Sequence, residues 1–326
     1  MDRISQSPHF ASLTNETIIA LAEKELKTRL TGLCRPYNSY INRLFELAAE
    51  DGTGLVIKFY RPGRWSKEAL EDEHDFLLEL AEAEIPVIAP LPLKGSRTLG
   101  VAGDMMFAIF PKKGGRNSDE FSEDEWLELG RLIARVHNIG AMRMPKHRIT
   151  LTPQKATREH IDFILGRDLV PKELAGQFVD ITGELIDLIS PLFANKPLIR
   201  IHGDCYSANI IHRPGESFYL IDFDDMAIGT PIHDVWMLLP GYLKDSRHEL
   251  NVFIEGYETF RDFDRTDLEL IEPLRAMRYI HFIAWCAHQV ADRGFSNLAP
   301  QWGSTQYWQT EIKDLSEQIT KIKHGI

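Results

Sequence analysis

The chain has 326 residues, 44% apolar and 26% charged, with a formal charge of -11. That composition is globular, and its acidic balance argues against a broad basic face for nucleic acid while leaving room for a local basic pocket. Cys34, Cys205 and Cys286 form no CxxC pair, so neither a disulfide framework nor a zinc ribbon is indicated. The opening MDRISQSPHF lacks the apolar core of a signal peptide. No run approaches the roughly 18 apolar residues of a membrane helix. A soluble cytoplasmic monomer with no membrane partner is expected.

Ile19, Ala22, Leu26 and Leu30 recur at helical spacing and predict an amphipathic helix over 13 to 30, capped by Asn15 or Thr17. Asn42 to Leu47 and Leu55 to Tyr60 are rich in strand formers and are joined by Asp51-Gly52-Thr53-Gly54, which reads as a hairpin. From Ser66, a candidate cap, a helical period runs through Leu70, Leu77 and Leu80 until Pro86 and Pro90 break it. Short strands are expected at Pro90 to Leu93 and Met105 to Phe110, followed by a polar stretch from Pro111 to Asp119. A nucleotide-binding lobe therefore spans 1 to 112, small in its sheet and opened by a helix. The remainder, 113 to 326, reads as mainly helical, with helices over 122 to 139, 173 to 193, 246 to 262, 267 to 292 and 305 to 322. One hairpin interrupts it, Ile210 to His212 and Phe218 to Phe223, linked by Pro214-Gly215-Glu216. The class is α+β with two lobes.

Chemistry concentrates around that hairpin. Before it stands Ile201-His202-Gly203-Asp204-Cys205-Tyr206-Ser207-Ala208-Asn209, and its second strand runs into Leu220-Ile221-Asp222-Phe223-Asp224. Phosphoryl transfer asks for little covalent help from a protein; it needs oxygens placed in line and phosphate charge neutralised. In kinases a loop aspartate orients the acceptor hydroxyl, an asparagine five residues on binds metal, and an aspartate after the next hairpin binds metal again. Asp204, Asn209 and Asp222 reproduce that order, and their oxygens suit magnesium. Two other readings stand beside it. Aspartates near tight turns commonly cap backbone groups, and His202, Cys205 and His212 are acceptable zinc donors at unusual spacing. In the phosphoryl-transfer reading His202 packs beneath the loop and His212 lies on a strand.

Lys58, within Leu55-Val56-Ile57-Lys58-Phe59, falls on the strand face of Val56 among apolar neighbours, and Glu73 shares the helical stripe of Leu70, Phe76, Leu77 and Leu80. A mutual ion pair would spare both the cost of lone burial, and rim positions are the alternative. No GxGxxG and no GxxxxGK[ST] is present. The candidate phosphate loop is Pro36 to Arg43, which offers Asn38, Ser39 and backbone amides. Gly114-Gly115 reads as a flexible connection. Arg275, Arg278, Tyr279, Phe282 and Trp285 fall largely along one helical face that could line an acceptor pocket or pack in the core.

These residues resemble the aminoglycoside phosphotransferase and choline kinase superfamily, whose signature is His-Gly-Asp, four residues, Asn, then Asp after a hairpin. Within it, NSYINRLFEL, VIKFYRPGRW, FPKKGGR, HGDCYSANI, IDFDDM, GTPIHDVWMLLPGY and LIEPLRAMRYIHFIAW resemble the stress response kinase A group of serine/threonine kinases, over residues 38 to 285. The resemblance implies a protein-kinase-like fold and an ATP- and Mg-dependent transfer to protein hydroxyls. Asp204 and Asp222 would be catalytic, Asn209 and Asp222 metal ligands, and Lys58 with Glu73 the nucleotide-positioning pair. Ile109, Phe110 and Lys112 would contact adenine, Ser39 would lie over the phosphates as a potential self-acceptor, and Asp234 would brace the catalytic loop or simply cap a helix. The Arg of His-Arg-Asp, the Gly of Asp-Phe-Gly and an Ala-Pro-Glu segment are absent, which makes activation-loop phosphorylation doubtful. A small-molecule kinase and a nucleotide-binding module without catalysis are the competing readings.

Overall fold

The computed structural model describes residues 10, 12–118, 120–213, 215–290, 295 and 299–324. Asp119, Pro214 of the hairpin link, and residues 291 and 292 of the helix expected over 267 to 292 lie outside the described residues. Helix α1 (Asn15–Leu26) is capped by Thr14, whose hydroxyl accepts from the Thr17 amide while the Thr17 hydroxyl accepts from the Thr14 amide, so Asn15 is not the cap and Thr17 closes a capping box. Lys27 then turns left-handed at φ 55° and ends the helix before Leu30. In place of its last turn comes a strand, β1 (Leu30–Pro36), in which only Leu30 is buried. An edge strand so polar carries no alternation to read.

β1 opens a five-stranded antiparallel sheet with β2 (Arg43–Ala49), β3 (Gly54–Phe59), β4 (Gly100–Ala102) and β5 (Met105–Pro111). The order is β1-β2-β3-β5-β4. Leu55, Ile57 and Phe59 point into a core shared with Ile18 and Ala22 of α1. Strand alternation sends Val56 and Lys58 to the opposite face. Helix α2 (Lys67–Glu82) starts at Ser66, as its spacing predicts. Pro90 to Leu93 is no strand, although the Leu91 amide donates to the Ile109 carbonyl at 2.7 Å.

The larger lobe holds α3 (Glu123–Gly140), α4 (Arg158–Gly166), α5 (Lys172–Ile189), a short α6 (Ile232–Trp236), α7 (Arg247–Tyr257), α8 (Ile271–Gln289) and α9 (Thr305–His324). Two small antiparallel ladders lie among them, β6 (Ile199–Ile201) with β9 (Ala227–Gly229) and β7 (Ile210–His212) with β8 (Phe218–Leu220). Phe76, Leu77 and Leu80 of α2 join the same apolar core as Leu129, Ile133, Phe253 and Ile280. The helix of the small lobe is thus anchored in the large one. Gly114-Gly115 is docked rather than loose: Arg116 and His212 exchange backbone hydrogen bonds at 2.9 and 2.8 Å, and a Cβ on Gly115 would overlap Ile211.

Helices α3 and α7 cross at glycines. A Cβ on Gly130 would overlap the Phe253 carbonyl oxygen, and one on Gly256 the Leu127 carbonyl oxygen. Gly256→Ala is expected to lower stability by about 1–3 kcal/mol in denaturant unfolding through overpacking. Gly176→Ala, with open space at its Cβ, should be neutral or gain up to about 1 kcal/mol from helix propensity.

Between α4 and α8, His160 and His281 share a hydrogen bond of 3.2 Å. Burial first, then neighbouring positive charge, pushes His160 down to about 4 and His281 down to about 3 from 6.5. Below pH 6.5 the unfolded chain takes up protons that the folded protein refuses. Stability is therefore complete above that pH and falls as pH drops toward 4, by about 1.4 kcal/mol per pH unit for each histidine. Unfolding measured from pH 7 to 5 should show a shallower loss for His160→Gln than for the natural protein.

Candidate active site

Strands β6 and β9 pair in register, Ile201 opposite Ala227, and so set the loops at 202–209 and 222–226 side by side. Gly203, at φ 82°, lets them touch: a Cβ there would overlap the Asp225 carbonyl oxygen. Asp234, fully buried inside α6, accepts the His202 amide at 2.7 Å and the Gly203 amide at 2.9 Å. It also meets His137 Nε2 at 3.1 Å, and His137 Nδ1 meets the Tyr257 hydroxyl at 2.9 Å. Burial would raise the Asp234 carboxyl, but the His137 hydrogen bond and the surrounding histidines hold it below the ordinary range. An ionised carboxylate only accepts, so the His137 nitrogen that faces Asp234, Nε2, donates to it. Asp234 therefore braces the loop from within the helix, not as its cap.

The braced loop presents Asp204. Its Oδ1 accepts from Arg278 Nη2 at 2.8 Å, and its Oδ2 and carbonyl oxygen lie 3.3 and 2.9 Å from Asn209 Nδ2. Burial raises the Asp204 carboxyl and Arg278 opposes that. Its amide nitrogen is spent on Asp204, and Asn209 Oδ1 accepts from none of the described residues. The Asn209 carbonyl accepts from the Ile221 amide at 3.0 Å, and His202 Nε2 donates to the Ile221 carbonyl at 2.9 Å. Those two bonds fix Asp222 beside Asn209, on a left-handed residue at φ 60°. The Asp222 side chain is 51% exposed, and its Oδ1 meets Lys58 Nζ at 3.0 Å.

Lys58 stands on the predicted strand face and is buried, but its expected partner is wrong. It pairs with Asp222 and Asp224, not with Glu73. Asp224, buried and next but one in the same turn, also accepts from Asn42 Nδ2 and lies 3.4 Å from Arg64 Nη1. Arg64 continues to Asp225 at 2.7 Å. Burial would discharge Lys58, and the fields of Asp222, Asp224 and Glu73 keep it protonated. Glu73 faces Arg148 instead, at 3.8 Å. Arg148 stacks over Trp65 at 4.1 Å and donates to the carbonyls of Ala69 at 3.2 Å, Met226 at 2.6 Å and Asp224. Buried beside Asp224 and only partly offset by Lys58 and Arg148, Glu73 is pushed up to about 8. The residues just before Arg148 strap the outer face of α2: Arg143 reaches Asp75 and Glu79 at 3.0 and 2.6 Å, and Asp72 accepts the amides of Lys146 and His147.

Other expected site residues are scattered. Ser39 lies in the β1–β2 loop, where its carbonyl accepts from Arg43 at 2.9 Å. The Ile109 side chain is buried between sheet and α1, and its carbonyl is taken by Leu91. Phe110 sits edge-on to His74 at 6.3 Å, and Lys112 Nζ is paired with Glu46. His202, Cys205 and His212 do not assemble as zinc ligands: among the described residues no three His, Cys, Asp or Glu side chains do. The α8 face divides. Arg278 reaches Asp204 and Trp285 meets Tyr40 at 5.7 Å, whereas Arg275 turns away between Trp236 and Tyr242. Asp224 and Asp225 had a signal in the doubled acids of IDFDD; Asn42, Arg64 and Arg148 had none beyond their charge or polarity.

A family model described as a phosphotransferase enzyme family matches residues 34–270. The chain is 36% identical over 316 residues to stress response kinase A of Escherichia coli (strain K12), covering 96% of this chain and 95% of that protein. It is also 36% identical over 321 residues to the serine/threonine protein kinase RdoA of Salmonella typhimurium (strain LT2), covering 97% and 95%. Among solved structures it resembles amicoumacin kinase hAmiN in complex with AMP-PNP, Ca2+ and Ami, with a TM-score of 0.74 at 17% identity over 96% of this chain and 94% of that one. A microcompartment-associated aminopropanol kinase gives 0.67 at 17% identity, over 93% and 99%.

Asp234→Asn keeps the size of the brace but turns an amide N–H2 toward groups that already donate. Stability should fall by about 2–4 kcal/mol, since buried charge-assisted hydrogen bonds are lost together. Tyr257→Phe removes only the outer bond of the relay and should cost about 1 kcal/mol. Denaturant unfolding of the two variants checks the order.

Proposed function

The chain belongs to the phosphotransferase enzyme family, and from that premise we propose that it is an ATP- and magnesium-dependent kinase that phosphorylates serine or threonine hydroxyls of protein, in a response to stress. The convergence of Asp204, Asn209, Asp222 and Lys58 on one cleft carries this reading. The lobes divide near residue 112, and the cleft lies between them. Asp204 orients the acceptor hydroxyl and receives its proton. Lys58 stands where it can pass from Asp222 to the phosphates of the nucleotide. The amide oxygen of Asn209 and the half-exposed carboxylate of Asp222 are hard donors that fit magnesium, and these two residues would hold it. When bound, the ion supplies neutralising charge on the phosphates.

Glu73 acts at one remove in this reading, through Arg148. Phe110 and Lys112 flank the adenine, with Ile109 as a buried support. Ser39, in the loop over the cleft, is the proposed self-acceptor; a phosphate there would bring about two negative charges against the nucleotide and damp activity. Protein as acceptor is supported by the name of the RdoA relative at 36% identity, while the solved neighbours at 17% share the fold. The three cysteines are free thiols, which fits action in a reducing cytoplasm, as a monomer. No helix among the described residues is long and apolar enough to cross a membrane.

Radiolabelled ATP with magnesium, offered generic protein in one arm and small alcohols in the other, tests the reading. Label should enter protein, with mass spectrometry locating phosphate on the substrate or on Ser39. Asp204→Asn should abolish transfer and leave ATP affinity within a few-fold, because the carboxylate serves the acceptor. Asn209→Ala and Asp222→Ala should instead raise the magnesium requirement. Rapid turnover of a small alcohol without protein labelling would assign the site to a metabolite.

A further inference from the structure

In phosphoryl transfer the migrating group carries its charge on three equatorial oxygens, and positive groups must meet it there. Lys58 faces the cleft from the nucleotide side. On the acceptor side the loop from Asp204 to Asn209 reads Asp-Cys-Tyr-Ser-Ala-Asn and contains no cation. Asp204 alone would repel the arriving phosphoryl group. A compensating charge must come from elsewhere in the fold.

The nearby cations differ in how far they are committed. Arg148 is fully buried and spent on three carbonyls and Glu73. Arg64 is divided between Asp224 and Asp225, and Arg275 is held by Glu272, the Gly241 carbonyl and two aromatic rings. Among the described residues Arg278 makes one hydrogen bond, from Nη2 to Asp204 Oδ1, and its side chain is 33% exposed. Its Nε and Nη1 make no hydrogen bond to the described residues. One and two helical turns on, Phe282 and Trp285 stack on each other, and Trp285 meets Tyr40 of the β1–β2 loop. This face of α8 therefore opens on the cleft between the Asp204 loop and the loop that carries Ser39.

Resting on the phosphoryl-transfer reading above, we propose that Arg278 is a further catalytic residue, the cation that meets the transferring phosphoryl group from the acceptor side. In the step, the acceptor oxygen forms a bond to the γ-phosphorus. The bond from that phosphorus to the bridging oxygen breaks, with its electron pair leaving on ADP. The hydroxyl proton passes to Asp204 and then to solvent. Arg278 makes and breaks no covalent bond. Its second nitrogen and Nε donate to equatorial oxygens while Nη2 keeps Asp204 aimed, a division that a planar fork of donors allows and a lysine does not.

Arg278→Met and Arg278→Lys, assayed with magnesium and ATP for ADP release to water and for transfer to protein, test the assignment. Arg278→Met should lower kcat for both reactions by about 100-fold or more, the usual effect of removing one such donor, with KM for ATP and acceptor within a few-fold. Arg278→Lys should lose about ten-fold, keeping charge without the fork. A raised acceptor KM at unchanged kcat, with water hydrolysis intact, would make Arg278 an anion-recognition residue and overturn the proposal. So would full activity in Arg278→Met. If Arg278→Met lowers the unfolding midpoint, the same kcat-against-KM split in Arg278→Lys, folded as the natural protein, distinguishes the two roles. Natural protein that neither transfers nor hydrolyses would instead remove the phosphoryl-transfer reading itself, which no behaviour of an Arg278 variant beside an active natural protein can do.

Discussion

A buried carboxylate is tolerated only where cations and donors surround it, and Asp224 meets that condition by recruiting from the other lobe. Lys58 of β3, Asn42 at the start of the hairpin and Arg64 ahead of α2 all converge on it. The two lobes are thereby fastened across the cleft at one side chain. Because Asp222 precedes it by two residues in the same turn, Lys58 is held next to the half-exposed carboxylate at the same stroke. Desolvation would remove charge from Lys58 and Asp222, and their pairing keeps it on both, whereas at Asp224 burial outweighs Lys58 and leaves the carboxyl above its ordinary range.

Support for the opposing loop is built in layers, each with less freedom than the one it holds. Asp204 and Asn209 hold one another, Asp234 holds the amides of His202 and Gly203, and His137 with Tyr257 holds Asp234. Behind them α3 and α7 approach so closely that glycine is needed on both sides of the contact. Packing of this density allows few alternative positions for the helices. An aspartate on a loop thus inherits the rigidity of two crossed helices.

How much of this is legible beforehand depends on the range of the interaction. Local patterns carry the hairpins, α2 with its Ser66 cap, α3, and the Asp204, Asn209 and Asp222 spacing, because each is set by neighbours in sequence. Strand β1 escapes because one buried residue leaves no period, and α4 escapes because it emerges from a π-turn at 153–157. The Lys58–Glu73 pairing fails for a different reason. Burial and facing both follow from the local pattern, but the partners that prevail, Asp224 for Lys58 and Arg148 for Glu73, lie 166 residues away in one case and 75 in the other. Complementary charge says that a partner is needed; only the chain's path says which one arrives.

Helix α2 illustrates how lobe and folding unit can part company. Its inner face, Phe76, Leu77 and Leu80, belongs to the apolar core of the large lobe, and the Leu220 amide donates to the Pro86 carbonyl just beyond it. During synthesis the sheet can close once β5 has emerged, but α2 then waits with three large apolar side chains uncovered until the segments of α3 and α8 arrive. A nascent chain stalled in that interval carries a finished sheet and a sticky helix, the kind of intermediate that chaperones shield and that aggregates when they do not. A fragment cut between the lobes would be left permanently in the same condition.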